Sequence, residues 1–320
     1  MASQNGQFRT LDLFAGIGGV RLGFEAAGFE TVFSNDFEPA CKATYDLNFD
    51  TAQLHIEDLR NIDPTDLPEF DFLLGGFPCQ AFSVAGYRQG FNDEKGRGNL
   101  FFNIAHILEE RRPRGFFLEN VKNLQGHDKG NTFRVILETL ESLGYHVRHK
   151  VLNTMEYGNL PQNRERIYIC GFDSKEAADR FKFPDKIVRK VEILDLLESQ
   201  IDSRYYYNDK PLFGRLVDEV TEVGVVYQWR RQYVRENKSG VCPTLTANMG
   251  TGGHNVPIIF DGQGIRKLTP KECARIQGFP PSYTLPKIAD SALYKQIGNS
   301  VSVPVIERIS KSMKKALDLS

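Results

Sequence analysis

Cysteine is scarce in this chain and none of it is arranged in pairs. Cys41, Cys79, Cys170, Cys242 and Cys273 are the five among 320 residues, and no two share C-x-x-C spacing. An odd, scattered set supplies neither a disulfide framework nor a zinc site. Histidine is nearly as sparse, at six residues. His146 and His149 stand three apart without an acidic or thiol neighbour, so no metal is expected. Long apolar runs are missing: nothing approaches the roughly 20 residues that span a bilayer. The opening MASQNGQFRT also lacks the apolar segment of a secretion signal. A cytoplasmic protein without a membrane partner is the expectation. Net charge is nearly absent too, at −1, so the chain as a whole does not advertise a polyanionic partner. Neither internal repeats nor low-complexity segments occur.

What is present is an ordinary globular composition, with 41% hydrophobic and 25% charged residues. The first half alternates short apolar runs with amphipathic stretches. Strands are expected in FRTLDLFA, ETVFSND, FDFLLGG, RGFFLEN, HVRHKVLN and RIYICGF. Helices are expected in VRLGFEAA, PACKATYDL, LFFNIAHILEE and NTFRVILETLESLG. In the last helix Phe133, Ile136, Leu137, Leu140 and Leu143 recur at helical spacing and Gly144 supplies the stop. Such alternation predicts an α/β fold: a mainly parallel, Rossmann-like sheet with helices on both faces. Ligands of these sheets bind beyond the carboxyl ends of the strands.

After Phe172 the texture turns to charge, turns and glycine, with short β-like runs such as GVVYQW and VPIIF. This predicts a second, smaller, irregular β-rich domain. The expected division is 1–180 with 292–320 for the larger domain and 181–291 for the smaller. The closing helix places Ile306, Ile309, Met313 and Leu317 on one face for packing onto the larger domain.

DLFAGIGG, residues 12–19, follows the first strand and opens a helix. Its glycines allow a tight turn and close approach of a ligand to bare backbone. About twenty residues later, SNDF sets Asp36 at the end of the second strand, a position suited to gripping ribose hydroxyls. Phe37 is placed to lie against an adenine ring and Asp58 to reach its amino group. An adenosine-containing cofactor follows, with nicotinamide, flavin and S-adenosylmethionine all open.

GGFPCQAFS, residues 75–83, poses a sharper question, because Pro78 stiffens the chain just before Cys79. A thiol on a strand-end loop is packing filler, a metal ligand or a nucleophile. FFLENVKNL places Glu119 and Asn120 at the end of the next strand, at the same edge. A carboxylate after four apolar residues is costly to bury charged and unpaired, which suits it to handling a proton. In PQNRERIYI, Arg164 and Arg166 alternate along an expected strand and so face one side. YKQIGNSVSVP brings Gly298, Asn299 and Ser300 just ahead of the final helix. YQWRRQYVRENKSG, residues 227–240, interleaves Arg230, Arg231, Arg235 and Lys238 with Tyr227, Trp229 and Tyr233. That texture suits a nucleic-acid surface or, equally, a solvated edge strand or helix face.

Taken in order, DLFAGIGG, GGFPCQAFS, LENVKN, PQNRERIYICGF, RKLTPKECARIQGFP and YKQIGNSV resemble the motif series of the DNA (cytosine-5) methyltransferases, of prokaryotic restriction-modification type. The likeness weakens only between about 174 and 265. The resemblance implies a methyltransferase sheet with a target-recognition domain. It implies methyl transfer from S-adenosylmethionine to carbon 5 of a flipped-out cytosine in a specific short duplex sequence. The product would be S-adenosylhomocysteine, with no metal involved. Cys79 would be the nucleophile that adds to the ring. Glu119 would bond ring nitrogen 3 and the exocyclic amine, Arg166 the base carbonyl, and Arg164 would order the site.

The cofactor residues it implies are Phe14, Ala15, Gly16, Ile17, Gly18 and Gly19 in the glycine loop. Asp36, Phe37, Asp58, Leu59, Gly76, Pro78 and Leu100 join them, with Asn299, Ser300 and Val301 from the last motif. DNA contacts are expected from Gln80, Ser83, Arg88 and Arg97 after the cysteine, and from Arg230, Arg231, Arg235 and Thr246 in the variable region, where TLTA resembles a family hallmark. The implied protein is a monomer in the cytoplasm of a prokaryote, on nucleoid DNA, beside a cognate restriction endonuclease. A transfer RNA cytosine-5 methyltransferase of the same family carries the same catalytic residues. A nicotinamide or flavin oxidoreductase would leave the Pro-Cys and the glutamate unexplained, and a non-catalytic DNA-binding module would leave the intact catalytic set without a use.

Overall fold

The structure, a computed structural model, describes residues 7–78, 100–237, 240–251 and 255–317. In chain order it opens with β1 (Arg9–Leu13), α1 (Gly19–Glu25), β2 (Glu30–Asp36), α2 (Ala40–Asp46), β3 (Leu54–Ile56) and β4 (Phe72–Gly75). Then come α3 (Leu100–Arg111), β5 (Gly115–Val121), α4 (Asn131–Ser142), β6 (His146–Asn153), α5 (Thr154–Tyr157), β7 (Gln162–Asn163), β8 (Glu165–Phe172) and α6 (Lys175–Arg180). The irregular stretch holds α7 (Phe213–Leu216), β9 (Val226–Trp229), β10 (Val234–Glu236), β11 (Cys242–Pro243), β12 (Ile258–Phe260) and β13 (Ile265–Lys267). Three helices finish the chain: α8 (Pro270–Ile276), α9 (Asp290–Asn299) and α10 (Val303–Leu317).

These elements form two compact units. The first holds Met1–Leu152, Glu165–Pro184 and Ile306–Ser320; the second holds Asn153–Arg164 and Asp185–Val305.

The first unit is built on one seven-stranded sheet in the order β3-β2-β1-β4-β5-β8-β6. β1 runs parallel to β2 and β4, and β4 parallel to β5. Leu11, Leu13, Leu73, Phe116 and Leu118 bury one face against Phe101, Ile104 and Leu108 of α3 and Ile136 and Leu140 of α4. On the other face Phe24 of α1 stacks edge-on to Phe117 at 5.2 Å. The central strands β4 and β5 are thus buried on both faces, which is why FLLG and GFFL read as unbroken apolar runs. Beyond Ile306, α10 belongs to this unit, with Ile306, Ile309, Met313 and Leu317 all buried. Ser310 Oγ donates to the Gly23 carbonyl at 2.9 Å and fixes the helix to α1.

The expected α/β class, six strands and four helices are all found. One feature departs from the sequence reading: β8 runs antiparallel to β5, pairing Val121 with Arg166 and Gly115 with Phe172.

The second unit carries a four-stranded antiparallel sheet, β10-β9-β12-β13. Tyr207, Leu216, Val220, Tyr227, Ile258 and Ile265 form its core. A short parallel pair joins β11 to β7 through Cys242 and Gln162. α8 opens on a capping box in which Thr269 and Glu272 satisfy each other's backbone N–H. Glu272 also grips the buried Arg266 bidentately at 2.8 and 2.9 Å, and Arg266 Nε reaches Asp261 at 2.6 Å.

Candidate active site

The carboxyl edge of the first unit's sheet gathers most of the expected residues. After β1 the chain turns through Phe14 at φ +55 and Gly16 at φ +55, then Gly18 at φ +80 opens α1. A Cβ on Gly18 would stand 2.3 Å from Phe49 Cε2, so the turn and its packing both require glycine. Ala15 and Ile17 are buried supports. The end of β2 is tied to this loop, since Gly16 N–H donates to Asp36 Oδ2 at 2.8 Å. Glu38 N–H donates to the other oxygen at 2.9 Å. Burial raises the Asp36 carboxyl despite these donors. Next to it Phe37 stands 65% exposed at the carboxyl edge of the sheet. Asp58 accepts from Arg60 Nε at 2.9 Å, and that guanidinium holds its carboxyl below the ordinary value. Leu59 beside it is buried and Leu100 half-buried.

One strand along, β4 ends at Gly75 and the chain passes through Gly76, Phe77 and Pro78. A Cβ on Gly76 would lie 3.7 Å from Glu119 Oε2, so this backbone runs directly beside the carboxylate at the end of β5. Glu119 is buried and faces Arg166, whose Nε lies 3.1 Å from Oε1. Arg166 also donates through Nη1 to the Glu165 carbonyl at 2.8 Å. Asn120 points the other way along the edge, where its Nδ2 donates to the Phe77 carbonyl at 2.8 Å. Cys79, Gln80, Ser83, Arg88 and Arg97 lie outside the described residues.

Arg164 departs from expectation. It does not share a strand with Arg166: β7 stops at Asn163, β8 starts at Glu165, and the two arginines fall in different units. Arg164 is buried within the second unit, where Nη1 donates to the Leu245 carbonyl at 2.8 Å and Nη2 to the Ser300 carbonyl. Its backbone is held as well, donating to Asn153 Oδ1 at 3.1 Å. Gly298 packs against the same turn, for a Cβ there would stand 2.1 Å from the Thr246 carbonyl carbon. Asn299 is exposed at the end of α9, Ser300 caps it and Val301 is buried. Arg230, Arg231 and Arg235 are exposed on the β9–β10 hairpin.

The sequence reading of DLFAGIGG passed over Asp12. It is fully buried on β1 and neither carboxylate oxygen has a hydrogen-bond partner. Burial pushes its carboxyl up to about 8 against the opposing pull of the Arg21 charge. An acid between two leucines of a strand was the available signal. Among the described residues no cluster of three metal-binding side chains occurs, and no helix is long and apolar enough to cross a membrane.

The model of the C-5 cytosine-specific DNA methylases matches residues 8–315. The type II methyltransferase M.Bsp6I of Bacillus sp. (strain RFL6) is 53% identical over 95% of this chain and 98% of its own length. M.HaeII of Haemophilus aegyptius is 43% identical over 98% of this chain and 95% of its own. In fold, a structure of DNMT2 from Spodoptera frugiperda superposes with a TM-score of 0.74 at 21% identity, covering 96% of this chain and all of that one. A match over nearly the whole length, with relatives this similar, places the chain in the C-5 cytosine-specific DNA methylase family, as a DNA (cytosine-5) methyltransferase of the prokaryotic restriction-modification type.

Proposed function

We propose that the enzyme methylates a cytosine extruded from a specific duplex sequence, through a transient bond between Cys79 and carbon 6 of the ring. The observation that carries this reading is the Glu119–Arg166 pair, 3.1 Å apart, beside the Gly76 backbone that leads to the cysteine. Cytosine carbon 5 is a poor nucleophile. A thiolate adding at carbon 6 breaks the 5,6 double bond and makes carbon 5 electron-rich. Glu119 is placed to bond nitrogen 3 and the exocyclic amine, offsetting the negative charge that enters the ring. Arg166 would hold the base carbonyl and, through its contact with Glu119, keep that carboxylate oriented. Once carbon 5 is methylated, loss of its proton restores the double bond and releases the thiolate. Extrusion of the base costs a few kcal/mol of stacking and is what makes carbon 6 reachable.

The first unit's edge fits S-adenosylmethionine. Gly16 and Gly18 leave bare backbone, Asp36 is buried at the strand end, and the uncovered Phe37 offers an adenine-sized face. Phe14, Ala15, Ile17, Gly19, Asp58, Leu59, Gly76, Pro78 and Leu100 complete the proposed set. The cofactor supplies an electrophilic methyl group. The resemblance, rather than the fold, carries the assignment of Asn299, Ser300 and Val301 to it. The second unit is the proposed target-recognition domain, with Arg230, Arg231, Arg235 and Thr246 on DNA. Action as a monomer in the prokaryotic cytoplasm, beside a cognate endonuclease, belongs to the same reading.

Cys79→Ser should bind cofactor yet transfer no methyl group. Duplex carrying 5-fluorocytosine at the target should be trapped as a stable adduct, because fluorine cannot leave as a proton does. Methylation by the serine variant, or no adduct on a confirmed site, would remove the covalent mechanism. Methylation of transfer RNA but of no duplex would remove the DNA reading.

A further inference from the structure

The β9–β10 hairpin holds a residue in a conformation that its side chain disfavours. Trp229 pairs with Val234, Arg230 N–H donates to the Tyr233 carbonyl at 2.9 Å, and Arg231 and Gln232 form the tip. Arg231 has φ +67, a left-handed geometry that tight hairpin turns usually give to glycine at this position. Glycine would relieve the strain; the arginine instead sets a guanidinium at the tip of the turn. The tip stands on a firm base, because Tyr227 and Trp229 pack with Leu212, Leu216 and Ile258 in the core of the second unit.

Beside the tip lies a groove of about 550 Å³ lined by Pro211, Leu212, Arg215, Trp229, Arg231 and Gln232. No carboxylate lines it. Among the described residues, neither Arg215 nor Arg231 spends its guanidinium on an ion pair or hydrogen bond. Among the described residues, two guanidiniums without an anionic partner and an amide therefore edge an aromatic wall at the tip of the β9–β10 ribbon, the edge pair of the four-stranded sheet. The major groove of B-DNA, about 12 Å wide, admits such a ribbon. Arginine matches the O6 and N7 acceptors of guanine, and glutamine offers both a donor and an acceptor.

We propose that Arg231 and Gln232 are specificity-determining residues that enter the major groove of the target duplex. Arg231 donates two hydrogen bonds to one guanine, Gln232 reads the neighbouring base, and Arg215 holds a backbone phosphate. The proposal deepens, and rests on, the assignment of the second unit to target recognition.

The test expresses the full chain, wild type and variants, in a host whose DNA lacks 5-methylcytosine, and reads methylation genome-wide by bisulfite sequencing. Wild type should mark one short sequence. Arg231→Gly, whose turn is relaxed and whose melting temperature should not fall, should lose preference at one position of that sequence by on the order of ten- to a hundredfold. Gln232→Ala should relax the adjacent position. Arg215→Ala should keep the sequence but show a salt dependence of DNA binding shallower by about one phosphate contact. An Arg231→Gly enzyme that marks the wild-type sequence with undiminished preference would overturn the proposal while leaving target recognition by the second unit standing. A wild type that marks no duplex site would overturn both.

Discussion

Asn120 holds the carbonyl of Phe77 at 2.8 Å, fixing the backbone two residues ahead of Cys79 in the sequence. Both groups are buried, so removing the amide strands a carbonyl at a cost of about 1–3 kcal/mol. Asn120→Ala should retain cofactor binding and lose kcat by roughly a hundredfold, the scale of a misplacement near 1 Å. Single-turnover methylation beside calorimetric titration with S-adenosylhomocysteine checks the two halves separately.

Glu119→Gln keeps the shape of the side chain but removes its charge and its capacity to exchange a proton. The rate of methyl transfer should fall by about 10²- to 10⁴-fold. Arg166 loses its charged partner and keeps the Glu165 carbonyl, so some stability should be lost as well; single-turnover rates taken well below the melting temperature separate the chemical defect from the structural one.

Asp12 makes stability fall as pH rises. Its carboxyl is raised from 3.8 to about 8 in the folded chain, so between those values the fold keeps a proton that the unfolded chain has released. Stability is therefore greatest below the unfolded value. It declines by up to about 1.4 kcal/mol per pH unit through the window and levels off above about 8. Asp12→Asn should flatten that slope and be the more stable protein at pH 8, as denaturant titrations across the range would show.

The second unit holds a buried Arg266–Glu272 pair whose two charges depend on each other for compensation. Glu272→Ala leaves a buried guanidinium with Asp261 as its one carboxylate partner and a long bond to the Lys267 carbonyl, and also deletes half of the capping box. A loss of about 3–5 kcal/mol is expected, read as a lowered melting temperature with retained secondary structure in the first unit.

Gly298→Ala tests the close approach of α9 to the Thr246 turn. No side-chain adjustment relieves a Cβ placed 2.1 Å from backbone. The variant should melt lower than wild type and bind target duplex less tightly, as calorimetry and gel shift would report.

The parts of this fold legible in the sequence were those with a local cause. The glycine loop, the strands on either side of it and the helix faces each follow from residue spacing. The polarity of β8 does not, because RIYICGF is buried on both faces and carries no alternation to mark direction. The separation of Arg164 from Arg166 was hidden for a similar reason: spacing two apart suggests a common strand, and only tertiary pairing reveals the break at Asn163. The β9–β10 hairpin drew notice as basic and aromatic, not as a turn, since Arg230–Tyr233 lacks the glycine that would have signalled one. β3 is three residues long, too short for a pattern.

β8 runs against β5, and the reversal decides which of its residues lies at the carboxyl edge of the sheet. A strand parallel to β5 would have delivered Phe172 beside Val121; this one delivers Arg166. The guanidinium next to Glu119 is thus a gift of chain direction as much as of composition. A circular permutant opened just ahead of Arg166 would seat a new terminal ammonium near that carboxylate, while one opened beyond Phe172 would leave the charge pattern at the edge untouched.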